Sequence, residues 1–237
     1  MIKAVIFDMD GVIFDSERAI CDLWDEIAEE NNIPDIGELM IRCIGINDKA
    51  TNELFTQKYG DSFPYEVFKK QVSQKYHAKY DGGRLPMKSG VKELLGFLKE
   101  NGIKTALASS TRVETVTNQL RDAGILDYFD VVIGGDMVTK SKPDPEIFVH
   151  AADKLGVDAG DSYIIEDSFN GIKAAHAAGA MPLMVPDMIE PNDEIKALCL
   201  RILILSLMSG TILKVFCTDA SFDCKKSLYL GFVKEPF

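Results

Sequence analysis

The chain has 237 residues, which allows one large domain or two modest ones, and apolar residues make up 46% of it, as in ordinary globular proteins. Lys and Arg total 26 against 37 Asp and Glu, so the formal net charge is −11. That charge argues against a nucleic-acid partner and against attachment to anionic lipid, because both depend on clustered cations.

The cysteines and the N-terminal sequence indicate the compartment. The five cysteines are odd in number and have no CxxC spacing, so we expect reduced thiols rather than a disulfide framework or a zinc site. The N-terminal MIKAVIFDMD has too short an apolar stretch for a signal peptide. Arg201 and Lys214 divide the most apolar region, 198–216, into pieces too short to cross a bilayer. We therefore expect a soluble, cytoplasmic protein with no membrane partner, either a monomer or a weak homo-oligomer.

One strand and then a run of helices are predicted for the first third of the chain. Lys3–Phe7 is a short apolar run typical of a buried strand. A helix is predicted from Ser16, as its cap, towards Asn31. Further helices are predicted at about 48–59 and 64–80. Because no strand-like run occurs between 15 and 81, this segment is predicted to be all-helical.

The rest of the chain alternates helices and strands. The breaker Asp81-Gly82-Gly83 separates it from the helical segment. The predicted strands are 104–108, 131–133, 162–165, 181–185 and 202–205, and the predicted helices are 90–100, 112–123, 145–155, 168–178 and 207–216. This alternation predicts βαβ units and a parallel sheet with helices on both faces.

We therefore predict an α/β fold, a doubly wound, Rossmann-like parallel sheet with a small all-helical cap domain inserted after strand 1. The core domain would comprise 1–15 and 82–216, the cap 16–81, and a C-terminal tail of open role 217–237. An insert at this point projects from the carboxyl end of the sheet, where ligands bind in doubly wound folds. A mobile lid over a site is the expected consequence.

Four polar clusters each follow a predicted strand: Asp8–Gly11, Ser109–Thr111, Lys142–Pro143 and Glu166–Ser168. Because parallel strands end at the same edge of a sheet, we expect these clusters to meet in one crevice. Several carboxylates there would repel one another, and a hard divalent cation such as Mg²⁺ resolves that conflict. Lys142 and the Ser109 hydroxyl add a cation and a donor that suit a tetrahedral dianion. The clusters therefore predict phosphoryl transfer from a small phosphorylated molecule.

The first cluster supplies two carboxylates in different positions. Asp8 ends a strand and is rigidly placed, so it can attack phosphorus to give an aspartyl phosphate. Asp10 lies in a turn that Gly11 permits, and it is free to protonate the leaving oxygen and later to deprotonate water. On these residues alone, direct transfer to water stays open as well.

The segments DMDGVIFDS, ALASS, KSKPDPEIF and IIEDSFNGI resemble the four motifs of the haloacid dehalogenase-like phosphotransferases. The likeness extends from residue 1 to about 200 and is closest to the branch with a helical cap after the first motif, which holds β-phosphoglucomutase and many small sugar phosphatases. The resemblance implies that Asp8 is the nucleophile and a Mg²⁺ ligand. It implies that Asp10 is the general acid/base, with its backbone carbonyl on the metal.

The same resemblance assigns the remaining site residues. Asp167 would be a direct Mg²⁺ ligand, and Glu166 would bind the metal or orient its waters. Ser109 and Lys142 would hold the transferring phosphoryl group, and we place Ser110 beside them as phosphate-binding.

The resemblance also bears on the type of reaction. Dehalogenase members lack the second acid, so Asp10 favours phosphoryl transfer. Mutase members carry a His where this chain has Ile20, and they carry an Arg just after a turn in the cap, where this chain has Asp48. Asp48 would repel a second phosphate, so a Mg²⁺-dependent phosphatase of sugar phosphates is favoured over a phosphosugar mutase, which stays the alternative. A receiver-like or non-catalytic phosphate-binding protein is a further alternative. Solvent exposure is the favoured interpretation for the cap residues Glu17, Asn47, Lys49 and Lys75.

Overall fold

A six-stranded parallel sheet forms the centre of the protein in the computed structural model, which describes residues 2–46 and 48–202. The strands are β1 (Ala4–Phe7), β2 (Lys104–Ala108), β3 (Val131–Ile133), β4 (Ser162–Glu166), β5 (Met181–Met184) and β6 (Arg201–Ile202). Their order is β3-β2-β1-β4-β5-β6, and every neighbouring pair is parallel. The chain order reverses direction at β1, so the loop after β1 lies at the switch point where doubly wound sheets bind ligands.

Helices cover both faces of this sheet. They are α1 (Ser16–Asn31), α2 (Ile36–Cys43), α3 (Asp48–Tyr59), α4 (Tyr65–Tyr80), α5 (Val91–Glu100), α6 (Val113–Asp122), α7 (Glu146–Leu155), α8 (Phe169–Ala177) and α9 (Asp193–Leu198). Helices α5 and α6 pack in one hydrophobic cluster with the sheet, and α7 and α8 pack in another. The predicted α/β, doubly wound parallel fold is thereby confirmed.

The central strand β1 explains why both faces need helices. Its residues alternate between the two clusters, with Val5 and Phe7 in one and Ala4 and Ile6 in the other. All four are fully buried, and burial of one large apolar side chain contributes roughly 1.5–3 kcal/mol. A strand that is buried on both faces has apolar residues at every position, which explains the uninterrupted apolar run in the sequence of β1.

Helices α1–α4 follow β1 and have a hydrophobic cluster of their own. Its centre is aromatic: the Trp24 ring is 4.9 Å from that of Phe55 and stacks on Tyr65 at 6.0 Å. Among the described residues between 16 and 80 there is no strand. We call residues 16–80 the helical segment. Its status as a separate cap domain, and the other domain boundaries, stay predictions.

The sequence-based prediction lacks two of the described helices and is wrong about the cap of a third. Helix α2 has the apolar spacing Ile36, Leu39, Met40 and Cys43 on its buried side, and α9 precedes the last described strand. Ser16 is the first residue of α1 rather than its cap, which is Asp15, and its hydroxyl is used elsewhere, as described below.

The end of the described chain differs from the predicted core strand at 202–205. Strand β6 pairs with β5 at the edge of the sheet, and its two residues are exposed. The rest of that strand, the predicted helix 207–216 and the tail 217–237 lie outside the described residues. None of the helices in the described ranges is long and apolar enough to span a bilayer.

Candidate active site

The four polar clusters meet in one cavity between the sheet and the helical segment. The cavity has a volume of about 610 Å³. Its sheet side is lined by six of the predicted site residues, Asp8, Asp10, Ser110, Lys142, Glu166 and Asp167. Asp8 follows β1, Ser110 follows β2 and Asp167 follows β4, so parallel strands do bring these distant residues together.

Lys142 forms the positive centre of the site. Its Nζ lies 2.5 Å from Asp8 Oδ1 and 2.7 Å from Glu166 Oε1, and it stands 4.8 Å from the centre of the Phe148 ring. Burial lowers the pKa of Lys142, but attraction from Asp8 and Glu166 outweighs burial and raises it overall. The side chain therefore carries a full positive charge beside Asp8.

Three buried carboxylates, those of Asp8, Glu166 and Asp167, offer oxygen atoms within 4.8 Å of one another. Burial raises the pKa of Asp8 to about 7, with Lys142 opposing the rise and Glu166 adding to it. Burial, followed by repulsion from Glu166 and Asp8, holds the pKa of Asp167 well above its usual range. A single ammonium group does not balance three such acids, so the donor set fits a hard divalent cation of the Mg²⁺ type.

Glu166 is engaged through both carboxylate oxygens. Its Oε2 accepts from the backbone N–H of Asp167 (2.9 Å), the N–H of Ser168 (2.8 Å) and the Ser168 hydroxyl (2.9 Å), while Oε1 faces Lys142. These partners leave little room for direct metal ligation by Oε2. The arrangement suits a residue that holds Lys142 in place and orients water around a metal.

Two glycines let the acids lie directly against backbone. A Cβ on Gly171 would be 1.8 Å from Glu166 Oε1, and a Cβ on Gly11 would be 2.0 Å from Asp167 Oδ2. Gly11 also has a positive φ of 72°, which other residues rarely adopt. Both positions therefore require glycine if the two carboxylates are to keep their places.

Asp10 lies apart from the carboxylate group and is held by hydroxyls. Ser16 Oγ donates to Asp10 Oδ1 at 2.6 Å, and the hydroxyls of Ser109 and Thr111 lie 3.4 Å from Oδ2. Burial raises the pKa of Asp10, and the bond from Ser16 opposes that rise. A carboxyl with a raised pKa and no place among the metal-type donors can carry a proton to a reacting atom.

The two serines after β2 have different surroundings. Ser109 is fully buried, its Oγ accepts from the backbone N–H of Thr111 at 3.0 Å, and it is absent from the cavity lining. Ser110 is exposed towards the cavity. Of the two hydroxyls predicted to bind phosphate, that of Ser110 is the more accessible.

The helical segment supplies the opposite wall, which is largely apolar and aromatic. Ile20, Trp24, Met40, Val72 and Tyr76 are among its side chains. At the far end, Asp48 accepts from Lys69 at 2.5 Å and from the Tyr65 hydroxyl at 3.1 Å. This end of the cavity therefore has no unpaired cation among the described residues that line it.

The segment before α3 touches the sheet side directly. The Asn170 side chain donates to the carbonyl of Gly45 at 2.6 Å, and a Cβ on Gly45 would be 2.8 Å from Ser168 Cβ. On the other side of the cavity, Gln119 of α6 lies 3.3 Å from the Tyr76 hydroxyl of α4. The cavity is thus bridged at two places.

The family model for haloacid dehalogenase-like hydrolases matches residues 2–179. The chain belongs to the haloacid dehalogenase-like hydrolase family. This hydrolase is 34% identical over 177 residues to the phosphorylated carbohydrates phosphatase of Thermotoga maritima, a match that covers 75% of the chain and 82% of that protein. It is 35% identical over 185 residues to the beta-phosphoglucomutase of Bacillus subtilis, with 75% and 80% covered.

A solved structure supports the same assignment. The beta-phosphoglucomutase of Clostridium difficile superposes on the hydrolase with a TM-score of 0.72 and 25% identity, covering 91% of this chain and 96% of that one. The resemblance seen in the four motifs is confirmed, and the chain is an enzyme of a hydrolase family that includes phosphatases.

Several residues of the hydrolase site were given no site role from the sequence, although two of them lie in the predicted polar clusters. They are Ser16 and Thr111, which contact Asp10, Ser168 and Gly171, which hold Glu166, and Gly45, which touches the sheet side. The expected solvent exposure of Glu17 is wrong, because Glu17 lines the cavity, where burial, followed by repulsion from Asp10, raises its pKa to about 8. Lys49 is exposed and Lys75 pairs with Glu30, as expected for surface residues, and Asn47 lies outside the described residues.

Proposed function

We propose that this hydrolase is a Mg²⁺-dependent phosphatase that hydrolyses small phosphorylated carbohydrates through an aspartyl-phosphate intermediate. The observation that carries the proposal is the different setting of two acids only two residues apart. Asp8 lies among the carboxylates, with its Oδ1 2.5 Å from Lys142 Nζ. Asp10 lies apart from that group, and its Oδ1 accepts a hydrogen bond of 2.6 Å from the Ser16 hydroxyl. The first suits attack on phosphorus and the second suits proton transfer. The Thermotoga maritima relative, named for phosphorylated carbohydrates, supports the substrate class.

In the first step, the Asp8 carboxylate attacks phosphorus and the bond to the sugar oxygen breaks. Asp10 gives its proton to that oxygen, so the sugar leaves as a neutral alcohol. Lys142 stabilises the phosphoryl oxygens, and loss of one such charge-stabilising donor costs on the order of 10²–10³ in kcat.

In the second step, Asp10, now a carboxylate, takes a proton from water as the water oxygen attacks the aspartyl phosphate. The bond between phosphorus and the Asp8 oxygen breaks, and inorganic phosphate is released. Asp8 and Asp10 return to their starting states, so the sum is hydrolysis of one phosphate ester.

The metal would be held by Asp8 and Asp167, with the backbone carbonyl of Asp10 beside them and Glu166 orienting water. When bound, Mg²⁺ supplies the positive charge that lets an anionic phosphate approach this acidic cavity. The raised pKa values of Asp8 and Asp167 support a cation here, because one would relieve their mutual repulsion.

Hydrolysis is preferred over the mutase reaction because of the cavity wall. Ile20 is an apolar lining residue at the position where mutase members carry a His, and it has no proton to exchange. The Lys69 charge at the far end is paired with Asp48, so a second phosphate finds no free cation among the lining side chains described. We extend the proposal to the helical segment, which would act as the cap that excludes water from the first step.

The test is ³¹P NMR of the purified protein with Mg²⁺ and a panel of hexose and pentose phosphates. The panel includes β-glucose 1-phosphate primed with glucose 1,6-bisphosphate. We expect inorganic phosphate to grow, to stop with EDTA and to resume with added Mg²⁺. Glucose 6-phosphate without free phosphate would mean a mutase and would contradict the proposal.

Variants test the nucleophile in the same assay. Asp8→Asn should lose turnover, because an amide does not attack phosphorus. Asp153→Asn, an exposed acid on α7, is the matched control and should keep wild-type activity. An Asp8→Asn protein that retained a tenth of the activity would rule Asp8 out as nucleophile.

A further inference from the structure

An ion triad around the buried Lys88 joins three parts of the chain, and the proposed mechanism uses none of its three charged groups. Lys88 Nζ lies 2.6 Å from Asp187 Oδ1 and also bonds Asp15 Oδ1. The Lys88 side chain is 5% exposed and that of Asp187 is 3% exposed, so both charges are removed from water. Buried ion pairs are weak evidence for stability, because desolvation offsets much of their attraction. A role in positioning therefore explains the triad better than a role in stability alone.

Two of the joined parts are the crossings between the sheet and the helical segment. The first crossing (11–15) leads from β1 into α1, and the second crossing (81–90) leads from α4 into α5. The backbone N–H of Asp15, in the first crossing, donates to a carbonyl of the second crossing at 2.9 Å. The backbone N–H of Lys88, in the second crossing, donates to a carbonyl of the first crossing, also at 2.9 Å. The two crossings thus form one paired strip, and Lys88 is part of it.

The third part is the loop after β5, which lies beside the site. The backbone N–H of Val185 donates to the carbonyl of Glu166 at 2.8 Å, and Asp187 follows two residues later. Its neighbour Met188 packs against the hydrophobic cluster of the helical segment. Asp187 is therefore placed where the sheet side and the helical segment meet.

The triad is connected to Asp10 through the start of α1. Asp15 directly precedes Ser16, whose hydroxyl donates to Asp10 Oδ1 at 2.6 Å. A shift of the first crossing would consequently move the donor that holds Asp10.

We propose that Lys88 is a positioning residue for the hydrolysis, because its bonds to Asp15 and Asp187 hold both crossings against the loop after β5 and so set Ser16 beside Asp10. The inference rests on the proposed function, in which Asp10 moves the proton. Lys88 does not line the cavity. Its loss should therefore lower kcat and leave phosphate binding as it is.

The variants are chosen to separate position from stability. Removing Lys88 alone leaves the buried carboxylate of Asp187 unpaired and is expected to destabilise the fold. The double variant Lys88→Met/Asp187→Leu replaces the buried pair with apolar side chains, which such sites often accept without loss of stability. Lys88→Arg keeps the charge and both acceptors. Lys92→Met, at an exposed lysine of α5, is the matched control.

Three readouts are compared with wild type. The first is kcat and KM on the substrate found by ³¹P NMR. The second is the affinity for inorganic phosphate with Mg²⁺, followed by fluorescence of Trp24, the one Trp of the chain, which lines the cavity. The third is the rate of tryptic cleavage after Arg84, which is exposed in the second crossing.

We expect the double variant to keep its melting temperature and phosphate affinity, to lose at least tenfold in kcat, and to be cut after Arg84 several times faster. Lys88→Arg should recover most of the kcat, and Lys92→Met should match wild type. Unchanged kcat and unchanged cleavage in the double variant would overturn the proposal, as would a kcat loss that Lys88→Arg shares in full. If the wild-type protein hydrolyses none of the tested phosphates, the proposed function is contradicted instead. The rates of tryptic cleavage after Arg84 in the double variant and in wild type then show by themselves whether Lys88 holds the crossings.

Discussion

Replacing Gly171 by alanine is expected to destabilise the protein by displacing Glu166. The new Cβ would lie 1.8 Å from Oε1, 1.9 Å from Cδ and 2.4 Å from Oε2 of that carboxylate, so the carboxylate has to rotate away. Glu166 accepts four bonds there, and each bond to a charged group contributes about 1.5–3 kcal/mol. Loss of two of these hydrogen bonds costs about 3–6 kcal/mol. Alanine is about 1 kcal/mol more favourable than glycine in a helix, so the net cost is about 2–5 kcal/mol.

Thermal unfolding measures this cost. For a chain of this size 1 kcal/mol corresponds to about 2–4 °C, so a loss of about 3 kcal/mol lowers Tm by about 6–12 °C. Gly96→Ala is the matched control, because Gly96 also lies in a helix and no atom stands within 4 Å of its new Cβ. It should raise Tm slightly. A Tm of Gly171→Ala equal to or above that of wild type would refute the described packing of Glu166. Partial recovery of Tm when the shorter Glu166→Asp is added to Gly171→Ala would support that packing.

Three further outcomes are expected. Asp10→Asn should lower kcat by roughly 10²–10⁴, measured by release of phosphate, and a loss below tenfold would remove its acid/base role. Glu17→Gln removes a carboxyl whose pKa is raised by burial, and next by Asp10, from 4.5 to about 8. The stability that protonated Glu17 contributes to wild type below pH 4.5 is lost as pH rises to about 8. The Tm of the variant minus the Tm of wild type should therefore increase between pH 4.5 and about 8, and a constant difference would contradict the burial of Glu17. Gly45→Ala should lower kcat/KM roughly tenfold or more, because the new Cβ pushes against Ser168. Gly60 also has a positive φ but lies in open space, so Gly60→Ala should leave kcat/KM unchanged. Equal effects of the two variants would argue against the contact of Gly45 with Ser168.

Local patterns were sufficient for most of the fold. Strand β1 is an apolar run that ends in acid, and strand β2 was predicted over the observed range 104–108. Helix α2 is absent from the sequence prediction although its apolar residues recur at helical spacing. Strand β6 is an exposed edge strand, so the apolar character of 198–216 did not describe its surroundings.

The candidate site was predictable to the extent that strand ends determine which residues meet. Asp8, Lys142 and Asp167 come together because parallel strands place the ends of distant segments at one edge. The hydroxyl of Ser16 was not predictable in this way, since a serine before a helix is more often a cap than a donor to a carboxylate six residues earlier. Contacts such as that of Lys88 with Asp187, 99 residues apart, leave no local pattern.

The central position of β1 has a consequence for how the chain folds during synthesis. Its partners β2 and β4 begin 100 and 158 residues further along the sequence, at Lys104 and Ser162 opposite Ala4. At about 5–20 residues per second, β1 waits about 8–30 s on the ribosome before its second neighbour is made. The helical segment, with an apolar cluster of its own, is complete long before that. The strand that leads into Asp8 is thus translated well before both of its neighbours and is enclosed only after the second of them is made, and the run AVIF is the place where a chaperone would be expected to act.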